Sequence, residues 1–207
     1  MTVSRRLLLL TLSALPALGR RGGAAEADAV AAPAVIQHLY DALLAAMKAG
    51  RQLSFAQRYE RLAPAINAAL DLGLMSRIAV GPDWSKLSPD QQQRIRDAFA
   101  RYTIATYANR FDDYGGEKFE VDAAAVPNPN GVVVQSRIVK SNGEKVALNY
   151  LMRKGLDGTW KIIDVYLDGT VSQLASHRSE FVAVLQRDGA DGLVRLLETR
   201  AAPGRSG

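Results

Sequence analysis

A segment of two strands and a helix, residues 145–181, constrains the fold more than any other part of the chain. Apolar side chains alternate along its first strand, at Val146, Leu148, Tyr150 and Met152. A period of two is typical of a β-strand with one buried face. The turn Gly155–Gly158 follows, and a second strand begins at Trp160. Helical spacing of apolar residues starts after Gly169, so the segment predicts a hairpin that leads into an amphipathic helix.

Two further strands precede this hairpin, and every connection between consecutive strands is short. Residues 118–126 and 132–140 have strand composition, and Pro127–Gly131 supplies the turn between them. Asn142-Gly143 is a strong hairpin signal before the next strand. Short connections allow only antiparallel neighbours, because a parallel pair needs a crossover of a dozen or more residues. The sequence therefore predicts a four-stranded antiparallel meander.

Helix signals fill most of the chain before these strands. The first helix is expected to begin at Pro33, since proline favours the first helical position. Two capping boxes mark later helix starts, Ser54 with Gln57 and Ser88 with Gln91. Pro64 lies inside the second helix and is expected to kink or split it. The segment Asp71–Val80 predicts a short apolar helix or turn, and Gly81–Asp83 predicts a loop that leads to Trp84.

After the strands, helices are expected over residues 171–187 and 191–199, with Gly189 between them. Helices from both ends of the chain therefore have to cover one face of the sheet. The predicted fold class is α+β, with helices packed on a curved four-stranded antiparallel sheet. Parallel α/β folds are excluded, because they alternate strands with helices.

The charge and cysteine content exclude several classes of protein. The formal net charge is +5, and residues 1–27 hold four arginines and one glutamate, which account for +3 and leave +2 for the rest. Acids and bases are mixed along that remainder, so no basic stripe for nucleic acid is present. The chain has no cysteine, which excludes disulfides, cysteine zinc sites and a lipid anchor on an N-terminal cysteine.

The N-terminus has the pattern of an export signal. Arg5 and Arg6 precede an apolar run, Leu7–Leu18, that is too short to span a bilayer, which needs about 20 residues. Ala25–Ala27 fits a small-x-small cleavage site. We therefore expect residues 1–27 to be a signal for Sec or Tat export to the periplasm. Residues 28–201 would form a single domain, and residues 202–207 a disordered tail.

The sequence contains no recognisable catalytic or metal-binding motif. The two histidines, His38 and His177, have no companion ligand at a suitable spacing, so no metal site is expected. The chain has no nucleophile elbow, no P-loop and no dinucleotide fingerprint after a strand. We therefore predict no catalytic residues and no cofactor.

Asp164 lies mid-strand among apolar residues, where a charge is costly unless it is paired. One interpretation is the general base of a small isomerase- or hydratase-type enzyme. The other is a structural carboxylate paired with Arg178 or Arg137, which ties the sheet to the helix. The second is favoured, because a general base needs a partner acid and a defined site, and the sequence shows neither.

Several short motifs together carry a resemblance to a known family. They are Trp160-Lys161, Asp164-Val165, Gly169, Ser172 and Arg178-Ser179 with Phe181, and upstream Asp71, Met75, Gly81 and Trp84. In this combination and spacing, the chain resembles the MlaC family of periplasmic lipid-binding proteins, also called toluene-tolerance auxiliary components. The resemblance covers essentially the whole chain after the export signal.

This resemblance implies a cystatin/NTF2-like cone with extra N- and C-terminal helices, which holds lipid between the sheet and the helices. It implies a shuttle that carries a phospholipid between the inner and outer membranes without a cofactor or a chemical step. The implied partners are an inner-membrane MCE complex with an ABC transporter, and an outer-membrane acceptor.

One departure from the family pattern affects the expected cargo. Many MlaC members have Asn-Tyr before the Arg-Ser pair, where this chain has Ser176-His177. The segment Asp164–Ala175 is closer to the hopanoid-associated HpnM branch. That branch implies a hopanoid cargo and an inner-membrane exporter of the resistance-nodulation-division (RND) type. We therefore favour a hopanoid over a phospholipid at this point.

Pattern and resemblance together predict an apolar cleft between the sheet and residues 71–111. The predicted lipid contacts are Leu74, Met75, Ile78, Val80, Trp84, Phe99, Tyr102, Thr103, Thr106, Val134, Leu148, Tyr150, Met152, Val165 and Val171. Asp164 and Arg178 are the predicted polar rim. Two other functions stay open, an enzyme that uses Asp164 and a ligand-free interaction module whose core would contain no cavity.

Overall fold

A computed structural model describes the backbone of residues 22–204 and the side chains of residues 31–204. The helices are α1 Gly22–Ala49, α2 Phe55–Ala69, α3 Leu72–Val80, α4 Pro89–Arg110 and α5 Gln173–Arg200. The strands are β1 Lys118–Asn128, β2 Gly131–Val139, β3 Lys145–Lys154, β4 Trp160–Leu167 and β5 Val171–Ser172. Short 3₁₀ helices occupy Gly50–Gln52 and Gly81–Lys86. The predicted α+β class is confirmed.

The five strands form one antiparallel sheet in chain order. Tyr150 of β3 pairs with Val134 of β2 on one side and with Val165 of β4 on the other. The predicted four-stranded meander is present, and β5 adds a short fifth strand that the sequence did not reveal. Asp168 and Gly169 both have positive φ, 49° and 78°, and this tight turn folds the chain back onto β4. Val171 therefore lies in a strand, and not in the predicted helix.

The first helix is already formed at Gly22, the first described residue, well before the predicted start at Pro33. The alanine-rich residues upstream of Pro33 have high helix propensity, so the helix continues through them and Pro33 lies inside it. The helix also runs through the predicted cleavage site at Ala25–Ala27. The apolar run of the predicted export signal, Leu7–Leu18, lies outside the described residues.

Both predicted capping boxes are formed. The hydroxyl of Ser54 accepts from the Gln57 amide, and that of Ser88 from the Gln91 amide. The helix α2 continues through Pro64, so the expected split is wrong, and the alternative expectation of a kink stays a prediction. Pro64 is exposed, so water can reach the carbonyl that loses its partner, and packing of the opposite face stabilises the helix.

Helices cover one face of the sheet and enclose a single apolar core. Tyr40 of α1 is buried and its hydroxyl lies 2.6 Å from Ser136 Oγ in β2. Ser136 donates in turn to the Leu148 carbonyl, so Tyr40 is the donor to Ser136. This chain of bonds fixes α1 to the centre of the sheet.

The start of α3 is fixed by a contact with the sheet, and α5 is interrupted by a glycine. Leu70 forms a parallel bridge to Ile162, so α3 begins at the edge of β4. Gly189 has non-helical angles, φ 69° and ψ −172°, which break α5 where the sequence predicted a break.

The predicted disordered tail begins at residue 202, and the structure describes residues 202–204 of it. The Gly204 amide donates to Asn109 Oδ1 at 3.2 Å.

Candidate functional site

A cavity of about 330 Å³ lies between α4 and the sheet, and α3 and the first turns of α5 complete its wall. We call it the lipid-size cavity. The helices contribute Met75, Phe99, Tyr102, Thr103, Thr106, Tyr107, Arg110, Phe111, Gln173, Leu174 and His177. The sheet and the link before α3 contribute Leu70, Ile138, Val146, Leu148, Tyr150, Val165 and Leu167. Its volume is within the range of ligand pockets, about 300–1,000 Å³.

Local sequence periodicity brings these residues together. On α4, Thr103 and Tyr107 are four residues apart and therefore share one face, and Phe111, the C-cap residue, follows at the same spacing. On β3, Val146, Leu148 and Tyr150 are two apart, so that all three point to the same side of the sheet. The cavity is thus the space between one helix face and one sheet face.

The walls of the cavity are apolar in character. Burial raises the pKa of Tyr150 and of Tyr107, so both phenols are neutral at physiological pH. The Thr106 hydroxyl donates to the Tyr102 carbonyl one turn earlier at 2.9 Å, so its hydrogen-bonding capacity is used within the helix. A cavity with such walls favours an apolar guest, because the guest removes hydrocarbon surface from water.

Three of the lining residues carry charged or strongly polar side chains. Arg110, at the end of α4, is exposed, and Gln173 and His177 come from the first turns of α5. The His177 ring stacks on Phe181 with ring centres 5.5 Å apart, and it meets the edge of Tyr102 at 6.1 Å. These contacts hold the imidazole against aromatic side chains of α4 and α5.

The stability of the protein is expected to depend on pH through His177. Burial lowers its pKa below the ordinary 6.5, and the charges of Arg200 and Arg110 act in the same direction, while Glu180 opposes them. The unfolded chain therefore binds the proton first as the pH falls, so stability is lost below about pH 6.5. Urea unfolding at pH 7.5 and 5.5 should show this loss in the native chain and a smaller one in His177→Phe, which keeps the stacking. Equal losses of stability in the native chain and in His177→Phe would contradict a role of His177 in the pH dependence.

Eight of the fifteen predicted lipid contacts line the lipid-size cavity. They are Met75, Phe99, Tyr102, Thr103, Thr106, Leu148, Tyr150 and Val165. Their contact with a lipid stays a prediction. Seven others lie elsewhere: Val80, Val134 and Met152 are buried in the core, Leu74, Ile78 and Trp84 line depressions outside it, and Val171 is half exposed on β5.

The two predicted rim residues do not line this cavity. Asp164 lines a separate depression beside Leu151 and Tyr166. Arg178 donates to the Ile78 carbonyl at 3.0 Å and so joins α5 to α3. The predicted pairing of Asp164 with Arg178 or Arg137 is also wrong, since Arg137 binds Glu120 at 2.5 Å.

Asp164 is instead satisfied by neutral donors at the start of α5. Its Oδ2 accepts from the Ser172 hydroxyl at 2.5 Å, and its Oδ1 accepts from the amides of Val165 and Leu174 at 2.8 and 3.3 Å. Ser172 Oγ also caps α5 by accepting from the Ala175 amide. Asp164 therefore ties the sheet to α5, as the favoured interpretation held, but its partners are not the arginines that were predicted.

Replacement of Asp164 by alanine is expected to destabilise the protein by about 2–3 kcal/mol, because buried donors at the start of α5 would lose their acceptor. Asp164→Asn keeps an oxygen acceptor and should lose less. Urea unfolding measures both changes. An alanine variant as stable as the asparagine variant would show that these hydrogen bonds contribute little.

Sequence reasoning missed ten lining residues. They are Leu70, Tyr107, Arg110, Phe111, Ile138, Val146, Leu167, Gln173, Leu174 and His177. The α4 members could have been found, since Tyr107 and Arg110 follow Thr103 and Thr106 by one helical turn. Gln173, Leu174 and His177 could not, because their position depends on the β5 turn.

Within the described residues, no helix is both long enough and apolar enough to cross a membrane. Over the same part of the chain, no three His, Asp or Glu side chains are grouped so that they could hold a metal ion.

Comparison with known proteins relates this geometry to a family. The family model described as "MlaC protein" matches residues 37–199, most of the chain. The chain belongs to the MlaC family. This is a family of lipid-binding and transport proteins. The matched range includes α2 to α4, the whole sheet and nearly all of α5, and therefore every residue of the lipid-size cavity.

Two known proteins are similar to this chain over most of its length. The toluene tolerance protein ttg2D of Pseudomonas putida is 26% identical over 195 residues, which cover 92% of this chain and 86% of the relative. A phospholipid-binding protein from Ralstonia solanacearum, solved in complex with a phospholipid, is 30% identical with a TM-score of 0.70. That match covers 82% of this chain and 96% of the solved one.

Proposed function

We propose that this protein binds one lipid in the lipid-size cavity and carries it across the periplasm between the inner and outer membranes. The observation that carries the proposal is the cavity itself, with mostly apolar walls from α4 and the sheet and with Arg110, Gln173 and His177 among its lining residues. MlaC family proteins are periplasmic, which supports the location. The solved relative with a bound phospholipid supports the class of ligand.

A carrier of this kind needs no chemical step. Each methylene kept from water is worth about 0.8 kcal/mol, so a free lipid crosses an aqueous space very slowly. An apolar cavity in an exported protein lowers that barrier by replacing water around the acyl chain. The export signal, residues 1–27, and the single domain, residues 28–201, belong to this proposal.

The cargo we propose first is a phospholipid, with its acyl chain against Phe99, Leu148 and Val165 and its phosphate towards Arg110. The second candidate is a hopanoid, which the Ser176-His177 departure and the HpnM-like segment favour.

Two membrane partners complete the proposal. An inner-membrane lipid exporter, of the MCE/ABC type for a phospholipid or the RND type for a hopanoid, would exchange lipid with the carrier. An acceptor at the outer membrane would exchange lipid with the carrier there. Both follow from the resemblance, and the cargo decides between the two exporters.

The alternatives fit the geometry less well. An isomerase-type enzyme would need Asp164 to face the cavity, and this side chain lies outside its lining with both oxygens hydrogen-bonded. A ligand-free interaction module would have a filled core, whereas the cavity is open between helix and sheet.

The deciding experiment is native mass spectrometry of the protein purified from its own periplasm, followed by organic extraction and identification of the lipid. Co-purified phospholipid is the expected result, and a hopanoid would establish the second candidate cargo. Protein that stays empty after incubation with both lipid classes would overturn the carrier function.

A further inference from the structure

A second depression, of about 740 Å³, lies on the outside of the molecule where α3, α4 and the β3–β4 turn meet. We call it the basic groove. Its charged lining residues are Arg77, Arg96, Arg153, Lys154, Lys161 and Asp71. Five of these six are cations, although the chain after residue 27 has a formal net charge of only +2. This cluster was not predictable from local sequence patterns, because its members come from four separate segments.

The basic groove contains cations that have no carboxylate partner among the described residues. The single carboxylate, Asp71, accepts from the Leu74 amide at 2.9 Å and serves as the N-cap of α3. Arg77 and Arg153 are exposed, and neither forms an ion pair or a side-chain hydrogen bond with another described residue. Arg96 lies over the Trp84 ring at 5.1 Å, a contact that keeps its positive charge. The groove therefore offers free guanidinium groups to an anionic partner.

An apolar side chain projects beside these cations. Leu156, which also lines the groove, is fully exposed at the tip of the β3–β4 turn. The turn is well held: the Gly155 amide donates to the Thr159 carbonyl at 2.8 Å, and Asp157 Oδ1 accepts from the Thr159 amide and hydroxyl at 3.0 and 2.8 Å. Leu156 is therefore held out in water by a structured turn.

We infer that the basic groove and Leu156 form a docking surface for the anionic phospholipid headgroups of a bilayer. Clustered cations are attracted to an anionic membrane surface, and an apolar side chain among them can enter the interface. The core of a protein–protein contact is usually depleted in charged residues and enriched in aromatic ones. A single projecting leucine surrounded by cations matches the bilayer surface better.

The groove also lies close to the lipid-size cavity. Leu74 lines the basic groove and its neighbour in the chain, Met75, lines the cavity, so α3 contributes to both. Docking through the groove would therefore bring one of the helices that line the cavity to the membrane. The inference concerns a separate surface and does not require the proposed cargo.

The test is flotation of the full exported protein with vesicles of phosphatidylcholine alone, and of phosphatidylcholine mixed with phosphatidylglycerol. We expect binding only to the anionic vesicles, and its loss at high salt. The double variant Arg77→Gln/Arg153→Gln should bind the anionic vesicles roughly tenfold more weakly. Leu156→Ser should weaken binding to the anionic vesicles by a similar factor at each salt concentration at which the native chain still binds, because its contribution is not electrostatic.

The matched control is Arg51→Gln/Arg61→Gln, which removes two exposed cations outside the groove. Its binding to the anionic vesicles should be within about twofold of that of the native chain, because electrostatic attraction falls off within a Debye length. Equal weakening by both double variants, or no binding to anionic vesicles, would overturn the inference. Thr103→Trp, which fills the cavity, should still float, so a failure of docking and a failure of cargo binding are distinguishable.

Discussion

Replacement of Thr103 by tryptophan is expected to weaken lipid binding by about 100-fold. Thr103 lies on the face of α4 that lines the lipid-size cavity, and its side chain is largely buried there. A tryptophan at this position would occupy space that three or four methylenes of the lipid would fill. At about 0.8 kcal/mol for each methylene, the loss is about 3 kcal/mol. The measurement is extraction of a fluorescent phospholipid from vesicles, together with native mass spectrometry.

The control for this variant is Gln93→Trp, on the same helix. Gln93 is exposed and its amide contacts only the nearby Asp97 and Arg96. It should bind lipid as the native chain does, so that a loss in Thr103→Trp is assigned to the cavity and not to an added tryptophan. Normal circular dichroism of both variants confirms folding. Unchanged extraction by a folded Thr103→Trp would show that the lipid binds elsewhere.

Replacement of Phe181 by alanine is expected to destabilise the fold by about 3–5 kcal/mol, the usual cost of truncating a buried phenylalanine. Phe181 is 1% exposed, and its ring packs against His177 within the core that α5 shares with α4. For a domain of this size such a loss lowers the melting temperature by roughly 10 °C. Thermal unfolding followed by circular dichroism measures it.

Leu156→Ala is the matched control for Phe181→Ala, since Leu156 is apolar and fully exposed. A surface truncation of this kind should change the stability by less than about 0.5 kcal/mol. If Phe181→Ala melted at the temperature of the control, the packing of α5 on the core would contribute far less than its burial implies.

Elements that depend on neighbours in sequence were predictable. The capping boxes at Ser54 and Ser88 are local, because each joins residues three apart. The sheet followed from the alternation of apolar residues and the short turns between strands. On α4 and β3, the same periodicities identified Phe99, Thr103 and Leu148 before any tertiary structure was considered.

Errors arose where a residue's role depends on distant partners. The burial of Met152 and Val134 in the core follows from which face each strand turns to the helices, and a bulge between Leu151 and Met152 shifts the register of β3 against β4. Asp164 was recognised as an unusual buried carboxylate, but its partners come from a turn that brings Ser172 and Leu174 back to β4. No local pattern encodes that return.

The sequence by itself determined the α+β class, the antiparallel order of the strands and the starts of α2 and α4. It also predicted some of the residues with which α4 and β3 line the cavity. These depend on hydrogen bonds and side-chain periodicity within a few residues. Only the tertiary structure decided that His177 and Gln173 stand at the cavity, and that Arg77 and Arg153 share one groove. Such contacts join residues far apart in the chain, as Arg77 is from Arg153 and His177 is from Tyr102, and their proximity follows from the packing of whole elements.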